Sequence, residues 1–224
     1  MKLMSEKHLS TYRRHMVEVI DIHFDLAGDE IGKAALDPRV RAALMSVPRH
    51  HFVPAEMALL CYRDTPLPIG FQKTISQPFI GALMIDLLDP QRGDTVLEVG
   101  TGLGYQSAVL AELVSRVCSV EIVEEFAEAA KALLEEFAIP NVAVRVGDGS
   151  RGWAEHAPFD KILVTAASTR PPPALVEQLK PGGRMVIPLG PSEAQQLSVV
   201  SKGADGTIST REVMPVRFTQ LEVG

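Results

Sequence analysis

The chain is short of cysteine and of long hydrophobic runs, and both shortages narrow the class of protein. Its 224 residues contain 2 cysteines, Cys61 and Cys118, whose spacing matches no metal or redox motif. No hydrophobic run approaches the length of a transmembrane helix. The first residues, MKLMSEKHLSTYRRH, lack the apolar core of a signal peptide. We therefore expect a soluble protein of a reducing cytoplasm, with no membrane partner.

Basic tracts and metal-ligand spacings are also missing. The chain has 28 acidic and 22 basic residues, a net charge of −6 and no basic stripe, which argues against a nucleic-acid partner. None of the 6 histidines has metal-ligand spacing, so we expect no metal. The G-x-S-x-G motif of many hydrolases is absent as well. A nucleic-acid binder, a metalloenzyme and a serine hydrolase are therefore all disfavoured.

The rest of the composition is that of an ordinary globular protein, with 46% hydrophobic and 22% charged residues. The length suits one α/β domain with a sizeable core. From Phe79 onward, strand-like and helix-like segments alternate, which predicts a mostly parallel sheet covered on both faces. Two strand-like runs around Ala204-Asp205-Gly206 predict antiparallel pairing at one sheet edge. We divide the chain into an N-terminal helical region with an active-site loop (1–78) and a core (79–224), together one structural domain.

Periodicity and capping residues predict the segment boundaries. Asp37 is predicted as the N-cap of a helix that has Pro38 at its first position. Residues 29–33 are predicted as a loop, and residues 62–78, rich in Pro and Gly, as a long irregular segment with a function. The other main helices are predicted at residues 9–26, 79–88, 105–114 and 124–137, and after Pro173. The strands are predicted at residues 95–99, 117–121, 142–146, 161–165, 184–188, 196–201 and 208–214.

The most informative stretch is TVLEVGTGLGY, residues 95–105. A short apolar strand contains Glu98, and Gly100, Gly102 and Gly104 follow directly before a helical pattern, as in the nucleotide pockets of open α/β sheets. A dinucleotide fingerprint is G-x-G-x-x-G, whereas here the third glycine comes one residue early. A carboxylate beside the turn suits a ligand with a positive end, and S-adenosylmethionine (SAM) has a sulfonium and no phosphate. The turn alone leaves three interpretations open: a SAM pocket, a dinucleotide pocket and a plain tight turn.

Residues at the ends of the following strands support a ligand pocket, because ligands of such sheets bind outside the carboxyl ends of the strands. Glu121 suits a carboxylate that accepts both ribose hydroxyls, and the alternative is a solvated cap of the next helix. Asp148, in a G-D-G segment, suits the edge of an adenine, and the alternative is a simple turn. The small residues Thr165, Ala166 and Ala167 leave room for a methyl donor and an acceptor to meet.

The segment LPIGFQKTISQP, residues 67–78, is the remaining anomaly. It contains two hydroxyls, on Thr74 and Ser76, and the N–H donors of Lys73 and Gln77. No histidine or cysteine lies nearby in sequence to activate Ser76 as a nucleophile. Holding an acceptor carboxylate is therefore the better role for the Ser76 hydroxyl.

The chain resembles the protein-L-isoaspartate O-methyltransferases, a family of SAM-dependent repair enzymes, over about residues 37–221. T-I-S-Q-P is the most diagnostic segment. The other matching segments, in the family's order, are VPRHHFVP, VLEVGTGLGYQSAVLA, VCSVE, GDGSRGW, APFDKILVTAA, LVEQLKPGGRMVIPLG and VRF. The resemblance implies a Rossmann-like class I methyltransferase fold, with a doubly wound, mostly parallel sheet, an antiparallel edge hairpin and an N-terminal helical extension. It also implies SAM as methyl donor and methylation of the free α-carboxylate of L-isoaspartyl residues in damaged proteins and peptides.

The resemblance implies roles for individual residues as well. Ser76 matches the active-site serine, and Thr74 matches the loop that closes over SAM and the substrate carboxylate. The predicted SAM-binding residues are Thr74, Ile75, Glu98, Gly100, Thr101, Gly102, Gly104, Glu121, Ile122, Asp148, Gly149 and Thr165. The predicted substrate-binding residues are Ile69, Thr74, Ser76, Ala166 and Val216. The acceptor would be an isoaspartyl polypeptide lying in extended form across the pocket.

The chain departs from the family pattern in three places. Gln72 and Lys73 stand where many bacterial members have Gly-Gln, residues 19–35 form a longer link than usual, and Thr219-Gln220 replaces Val-Pro near the C-terminal end. Two other functions remain open: a methyltransferase with a different acceptor, and a SAM-binding regulatory protein without catalysis. A dehydrogenase is disfavoured by the glycine spacing. We expect a monomer, with a dimer as the alternative.

Overall fold

The computed structural model describes residues 5–224 and has a seven-stranded sheet at its centre. Residues 1–4, which begin the predicted region 1–78, lie outside the described residues. The N-terminal part contains helices α1 (Glu6–Leu26), α2 (Gly28–Ile31) and α3 (Pro38–Ser46), then short 3-10 helices at Arg49–His51 and Ala55–Met57. A small antiparallel hairpin follows, made of β1 (Leu67–Gly70) and β2 (Lys73–Ile75).

The remaining elements are α4 (Pro78–Leu88), β3 (Thr95–Val99), α5 (Tyr105–Ala111), β4 (Arg116–Glu121), α6 (Glu124–Glu136), β5 (Val142–Val146), β6 (Phe159–Val164), α7 (Pro173–Gln178), β7 (Leu179–Leu189), β8 (Gln195–Lys202) and β9 (Ile208–Val216). From α4 to β5 they alternate between helix and strand, as predicted, and α7 separates β6 from β7. Two further 3-10 helices lie at Gly149–Arg151 and Ala154–His156. Asp37 caps α3 as predicted, because its side chain accepts the Arg39 amide at 2.7 Å.

The order of the strands in the sheet is β5-β4-β3-β6-β7-β8-β9. Strands β3 to β7 pair in parallel, whereas β8 pairs antiparallel with both β7 and β9. This confirms the predicted sheet with an antiparallel edge. The chain builds β3, β4 and β5 toward one edge and then returns to place β6 on the other side of β3. The carboxyl ends of β3 and β6 therefore lie at a topological switch point, where open α/β sheets bind ligands.

Alternate residues of the parallel strands face two separate cores, which explains their nearly continuous apolar sequence. Val96 and Val117 pack in a core that includes helices α1, α3, α4 and α5, and Leu97 and Cys118 pack in a second core with Leu175 of α7. The first core contains residues from both sides of residue 78. The division into regions 1–78 and 79–224 stays a prediction.

Two segments differ from the predicted elements. Residues 29–33 were expected as a loop, but Gly28–Ile31 forms a helical turn because Ile31 is buried in the core and Gly32 ends the turn with φ 75°. Residues 62–78 were expected to be irregular, but they contain the β1–β2 hairpin. Its two turn residues, Phe71 and Gln72, have φ of 47° and 57°, values that hairpin turns usually assign to Gly or Asn. Because neither Phe nor Gln is typical of such a turn, the sequence did not indicate a hairpin here.

Strand β7 is longer than predicted. Residues Pro181-Gly182-Gly183 precede the predicted strand 184–188, yet they lie within β7, where the register with β6 shifts and Gly182 has φ 80°. A bulge of this kind keeps strand pairing on both sides of an irregular stretch. Within residues 5–224, no helix has the length and apolar character needed to cross a bilayer. The described residues also contain no cluster of side chains that could hold a metal ion.

Candidate active site

A cavity of about 1220 Å³ opens at the switch point, beside the carboxyl ends of β3, β4 and β6. The hairpin and the segment after β9 form its other walls. Predicted SAM-binding residues that line it are Thr74, Gly100, Gly102, Glu121, Ile122, Gly149 and Thr165. All the predicted substrate-binding residues also line it, namely Ile69, Thr74, Ser76, Ala166 and Val216. One cavity thus brings together most residues of both predicted sets.

The glycine turn packs too closely on β6 for side chains. Gly100 has φ 92°, and a Cβ built there would overlap Thr165 Oγ1, which donates hydrogen bonds to the carbonyls of Val99 and Gly100 at 3.0 and 2.9 Å. Gly104, with φ 93°, is the N-cap of α5 and lies behind the cavity wall against Ala130. The backbone of the turn is therefore bare where it faces the cavity.

Glu121 joins the end of β4 to this turn. Its Oε2 accepts the Gly102 amide at 2.8 Å, and its Oε1 accepts the Val123 amide at 3.0 Å, at the N-cap of α6. The residue is 6% exposed and lines the cavity. The sequence left open that Glu121 is a solvated cap of the next helix. Glu121 does bind the amide at the N-cap of α6, but its carboxylate is buried rather than solvated. Each oxygen keeps a lone pair with which it can accept a ligand hydroxyl.

Glu98 does not line the cavity, which differs from the expectation that its carboxylate faces the ligand. It is fully buried, and its Oε2 accepts the hydroxyls of Ser107 and Ser119, the latter at 2.6 Å. Burial raises the pKa of Glu98 to about 7, and the nearby Glu121 adds to the rise, although the two hydroxyls lower it. Thr101, another predicted SAM-binding residue, joins the same network through Ser119 Oγ at 2.6 Å. Side chains inside strand β3 alternate between cores, so the sequence could not show which way Glu98 turns.

Two more predicted SAM-binding residues have side chains away from the cavity. Ile75 packs in the first core. The Asp148 carboxylate accepts the Ser150 amide at 2.9 Å, which forms the simple turn that the sequence left as an alternative. It also accepts the amide of the distant Gly224 at 3.3 Å. Gly149, the next residue, does line the cavity, and a Cβ on it would overlap Val99 Cγ1. The G-D-G segment therefore presents backbone rather than the acid to the cavity.

Asp64 fixes the segment that follows the hairpin. Its carboxylate accepts the Gln77 side-chain amide and the Phe79 backbone amide, both at 2.8 Å, and His23 Nδ1 lies 3.0 Å from Oδ2. These contacts hold the start of α4 next to Ser76. Asp64 could not be recognised from the sequence because its charge forms no motif with the residues that it binds.

The segment after β9 closes the opposite wall. Ala167 forms two hydrogen bonds with it: the Ala167 amide donates to the Thr219 carbonyl at 2.8 Å, and the Leu221 amide donates to the Ala167 carbonyl at 2.7 Å. Lys73 of the hairpin forms an ion pair with Glu222 of this segment. Both charged residues line the cavity, so the pair links its two walls.

Helices α1, α2 and α6 and the link between α1 and α2 supply further lining residues that the sequence did not indicate. They are His23, Leu26, Ala27, Glu30 and Phe126. Leu26 is 77% exposed, so it lies at the rim. No periodicity or spacing distinguishes these residues from ordinary surface or core positions.

The sheet order, the bare glycine turn and the buried acid at the end of the adjacent strand define a class I SAM-dependent methyltransferase fold. The family model for protein-L-isoaspartate(D-aspartate) O-methyltransferase (PCMT) matches residues 27–223. The chain therefore belongs to the protein-L-isoaspartate O-methyltransferase family. Helix α1 precedes the matched residues.

Individual relatives agree with this assignment. Protein-L-isoaspartate O-methyltransferase 1 of Polaromonas sp. is 52% identical over 98% of this chain and 93% of its own length. A solved protein-L-isoaspartate O-methyltransferase superposes with a TM-score of 0.78 and 27% identity, covering 93% of this chain and 65% of the solved chain. A Plasmodium falciparum protein, described as a β-aspartate methyltransferase in complex with S-adenosyl-L-homocysteine, shares the fold at 24% identity with a TM-score of 0.72, covering 83% of this chain and 91% of its own.

Proposed function

We propose that this chain methylates the free α-carboxylate of L-isoaspartyl residues in damaged proteins and peptides, with SAM as the methyl donor. The observation that supports this best is the single cavity that contains both the glycine turn with Glu121 and Ser76 of the T-I-S-Q-P segment. The names of the relatives describe the same reaction. The reaction is the first step of a repair, because the methyl ester can then close to a succinimide without the enzyme.

The cofactor half of the cavity fits SAM in three respects. Gly100 and Gly149 line the cavity with backbone alone, because a Cβ on them would overlap Thr165 and Val99. The buried Glu121 can accept the hydroxyls of a ribose. The glycines of the turn have the spacing G-x-G-x-G rather than that of a dinucleotide fingerprint. We assign Gly100, Gly102, Glu121, Ile122, Gly149 and Thr165 to SAM, with Glu98, Thr101 and Gly104 as residues that support the turn from behind.

The acceptor half lies between the hairpin and the segment after β9. We assign Ile69, Thr74, Ser76, Ala166 and Val216 to the isoaspartyl peptide, and Ser76 to its carboxylate. The hairpin and the segment after β9 are separate parts of the chain on opposite walls, so an extended peptide can lie between them. We also propose that the protein is a monomer, with a dimer as the alternative, which light scattering after gel filtration would distinguish.

The chemistry requires little from the protein beyond alignment. An α-carboxylate is ionised at neutral pH, so its oxygen is already a nucleophile and no general base is needed. SAM, when bound, supplies an electrophilic methyl group on a sulfonium. The Ser76 hydroxyl would donate a hydrogen bond that orients the carboxylate, and the bound reactants between the two walls would displace competing water. Holding two reactants in line can supply a large part of a rate enhancement, on the order of 7 to 11 kcal/mol.

The experiment that tests the proposal uses SAM with a radiolabelled methyl group and two peptides that differ only in an isoaspartyl or aspartyl residue. We expect base-labile label on the isoaspartyl peptide and none on the aspartyl peptide. Binding of S-adenosylhomocysteine is measured by calorimetry on the same preparation. Intact binding without transfer would contradict the proposal and favour a protein with another acceptor or without catalysis.

A further inference from the structure

Arg49 of the VPRHHFVP segment is fully buried, and the function described above does not use it. Its Nε donates to the Cys61 carbonyl at 2.8 Å, and its Nη2 donates to the Ser76 carbonyl at 2.6 Å. The guanidinium carbon lies 4.8 Å from the centroid of the Tyr105 ring. The residue is 1% exposed.

This burial is unusual because no carboxylate accompanies the charge. Within residues 5–224, no Asp or Glu forms a salt bridge with Arg49. A guanidinium stays protonated in proteins, and burying a charge without a counter-charge is costly. Burial accordingly lowers the pKa of Arg49 from its ordinary value. Two backbone carbonyls and one aromatic face compensate for the burial of the Arg49 charge. An apolar side chain could fill the same space without the desolvation cost.

The two carbonyls that Arg49 binds belong to different parts of the chain. Cys61 precedes the hairpin, and Ser76 follows it, so the planar guanidinium bridges the two ends of the hairpin segment. Just after Ser76 in the sequence, Asp64 accepts hydrogen bonds from the Gln77 side chain and the Phe79 amide. The peptide between Ser76 and Gln77 is thus held at its carbonyl by Arg49, and the next residue is held at its side chain by Asp64.

We propose that Arg49 is a positioning residue for Ser76, which fixes the Ser76 peptide so that the hydroxyl points at the acceptor carboxylate. The inference rests on the proposed function. Arg49 does not line the cavity and acts only through Ser76. Small displacements of an aligning group cost catalysis more than they cost binding of the other substrate.

The test compares Arg49→Lys and Arg49→Met with the matched variants Arg13→Lys and Arg13→Met. Lysine keeps the charge but cannot reproduce the fork to both carbonyls, and methionine removes both the charge and the N–H donors while remaining unbranched. Arg13 is also buried, binds the Ser46 carbonyl and Glu6, and lies away from the cavity. Each protein is measured for thermal unfolding, S-adenosylhomocysteine affinity, and kcat and KM with the isoaspartyl peptide.

We expect both Arg49 variants to lose about 10- to 100-fold in kcat/KM for the peptide. Their S-adenosylhomocysteine affinity should change by less than about threefold, and the Arg13 variants should keep kcat/KM near that of the unaltered protein. In a Ser76→Ala background, Arg49→Lys should reduce kcat/KM by less than about threefold further, because a residue that acts through Ser76 has little left to position.

Besides normal kcat/KM in the Arg49 variants, three results would overturn the inference. The first is that Arg49→Lys reduces kcat/KM as much in the Ser76→Ala background as in the unaltered protein. The second is an equal reduction of kcat/KM in Arg13 variants of matched stability. The third is loss of S-adenosylhomocysteine binding in both Arg49 variants, which would show that the residue only holds the fold. Failure of the proposed function is seen separately, because the unaltered protein would then methylate no isoaspartyl peptide. Normal kcat/KM in the Arg49 variants would overturn this inference alone.

Discussion

The carboxylate of Glu121 and the amide of Gly102 are 2.8 Å apart, so the end of β4 and the glycine turn after β3 form one hydrogen-bonded unit. The same carboxylate also accepts the amide that begins α6. A negative charge held this rigidly is already oriented for a ligand. Its removal therefore affects both the shape of the turn and the contact with the cofactor.

Glu121→Ala is expected to weaken S-adenosylhomocysteine binding by about 10- to 100-fold, because hydrogen bonds to a charged group contribute on the order of 1.5 to 3 kcal/mol each. Calorimetry measures the affinity. Glu125→Ala, an exposed residue in the first turn of α6, is the control and should bind normally. Unchanged affinity in Glu121→Ala would remove Glu121 from the cofactor site.

Ser76→Ala is expected to lower kcat/KM for the isoaspartyl peptide by about 10- to 100-fold, since the hydroxyl orients the nucleophilic oxygen. Because Ser76 would bind the acceptor, S-adenosylhomocysteine affinity should change by less than about threefold. Steady-state kinetics and calorimetry on one preparation measure the two effects. Ser209→Ala, an exposed hydroxyl on β9, should match the unaltered protein in both. Equal loss of catalysis and cofactor binding would argue against the assigned role.

Local sequence was sufficient for the part of the site that consists of strand ends and glycines. Glu121 ends β4, and Gly100 and Thr165 directly follow β3 and β6, while the alternation of elements predicts that these strands are parallel. Glu98 shows where this reasoning fails. It precedes the same turn, but the pleat of β3 directs its side chain into a core rather than into the cavity.

Contacts between distant parts of the chain could not be predicted in the same way. Asp64 and His23 meet only because α1 packs on α4, and Lys73 meets Glu222 across 149 residues of sequence. The hairpin was missed for a different reason. Phe71 and Gln72 adopt positive φ against their intrinsic preference, so tertiary contacts such as that of Phe71 with Phe126 must overcome the local cost.

The Lys73–Glu222 pair is expected to act as a tether between the two walls of the cavity. Lys73→Gln and Glu222→Gln should therefore raise KM for the isoaspartyl peptide in the same direction, by up to about fivefold, since partly exposed pairs contribute on the order of 0 to 1 kcal/mol. Salt at about 0.5 M should raise KM of the unaltered protein toward that of the variants. Lys131→Gln, which breaks a surface pair on α6, is the control.

Opposite changes in the two variants would contradict the tether. A lower KM in Glu222→Gln with a higher KM in Lys73→Gln would mean that the Lys73 ammonium itself attracts the acceptor carboxylate. Peptides with and without acidic neighbours of the isoaspartyl residue would then measure that attraction directly.

Glu98 is expected to make stability depend on pH. Its pKa is raised by burial from 4.5 to about 7 in the folded protein, and Glu121 is the charged neighbour that adds to this rise. The folded state therefore keeps a proton that the unfolded chain releases above about pH 4.5. The contribution of the neutral carboxyl is complete below the unfolded pKa and is lost as pH rises to about 7, which amounts to roughly 3 kcal/mol.

Glu98→Gln removes this titration while keeping the shape of the side chain and an oxygen that can accept from Ser107 and Ser119. Urea unfolding of both proteins between about pH 5 and about pH 8 should show the variant gaining roughly 2 to 3 kcal/mol relative to the unaltered protein. Titrations that the two proteins share cancel in this difference. The exposed control Glu125→Gln should show a difference that does not vary with pH. The Oε1 atom of Glu98 has no hydrogen-bond partner among residues 5–224. A flat difference for Glu98→Gln would mean that the carboxyl is ionised throughout this pH range and that Oε1 binds a buried water.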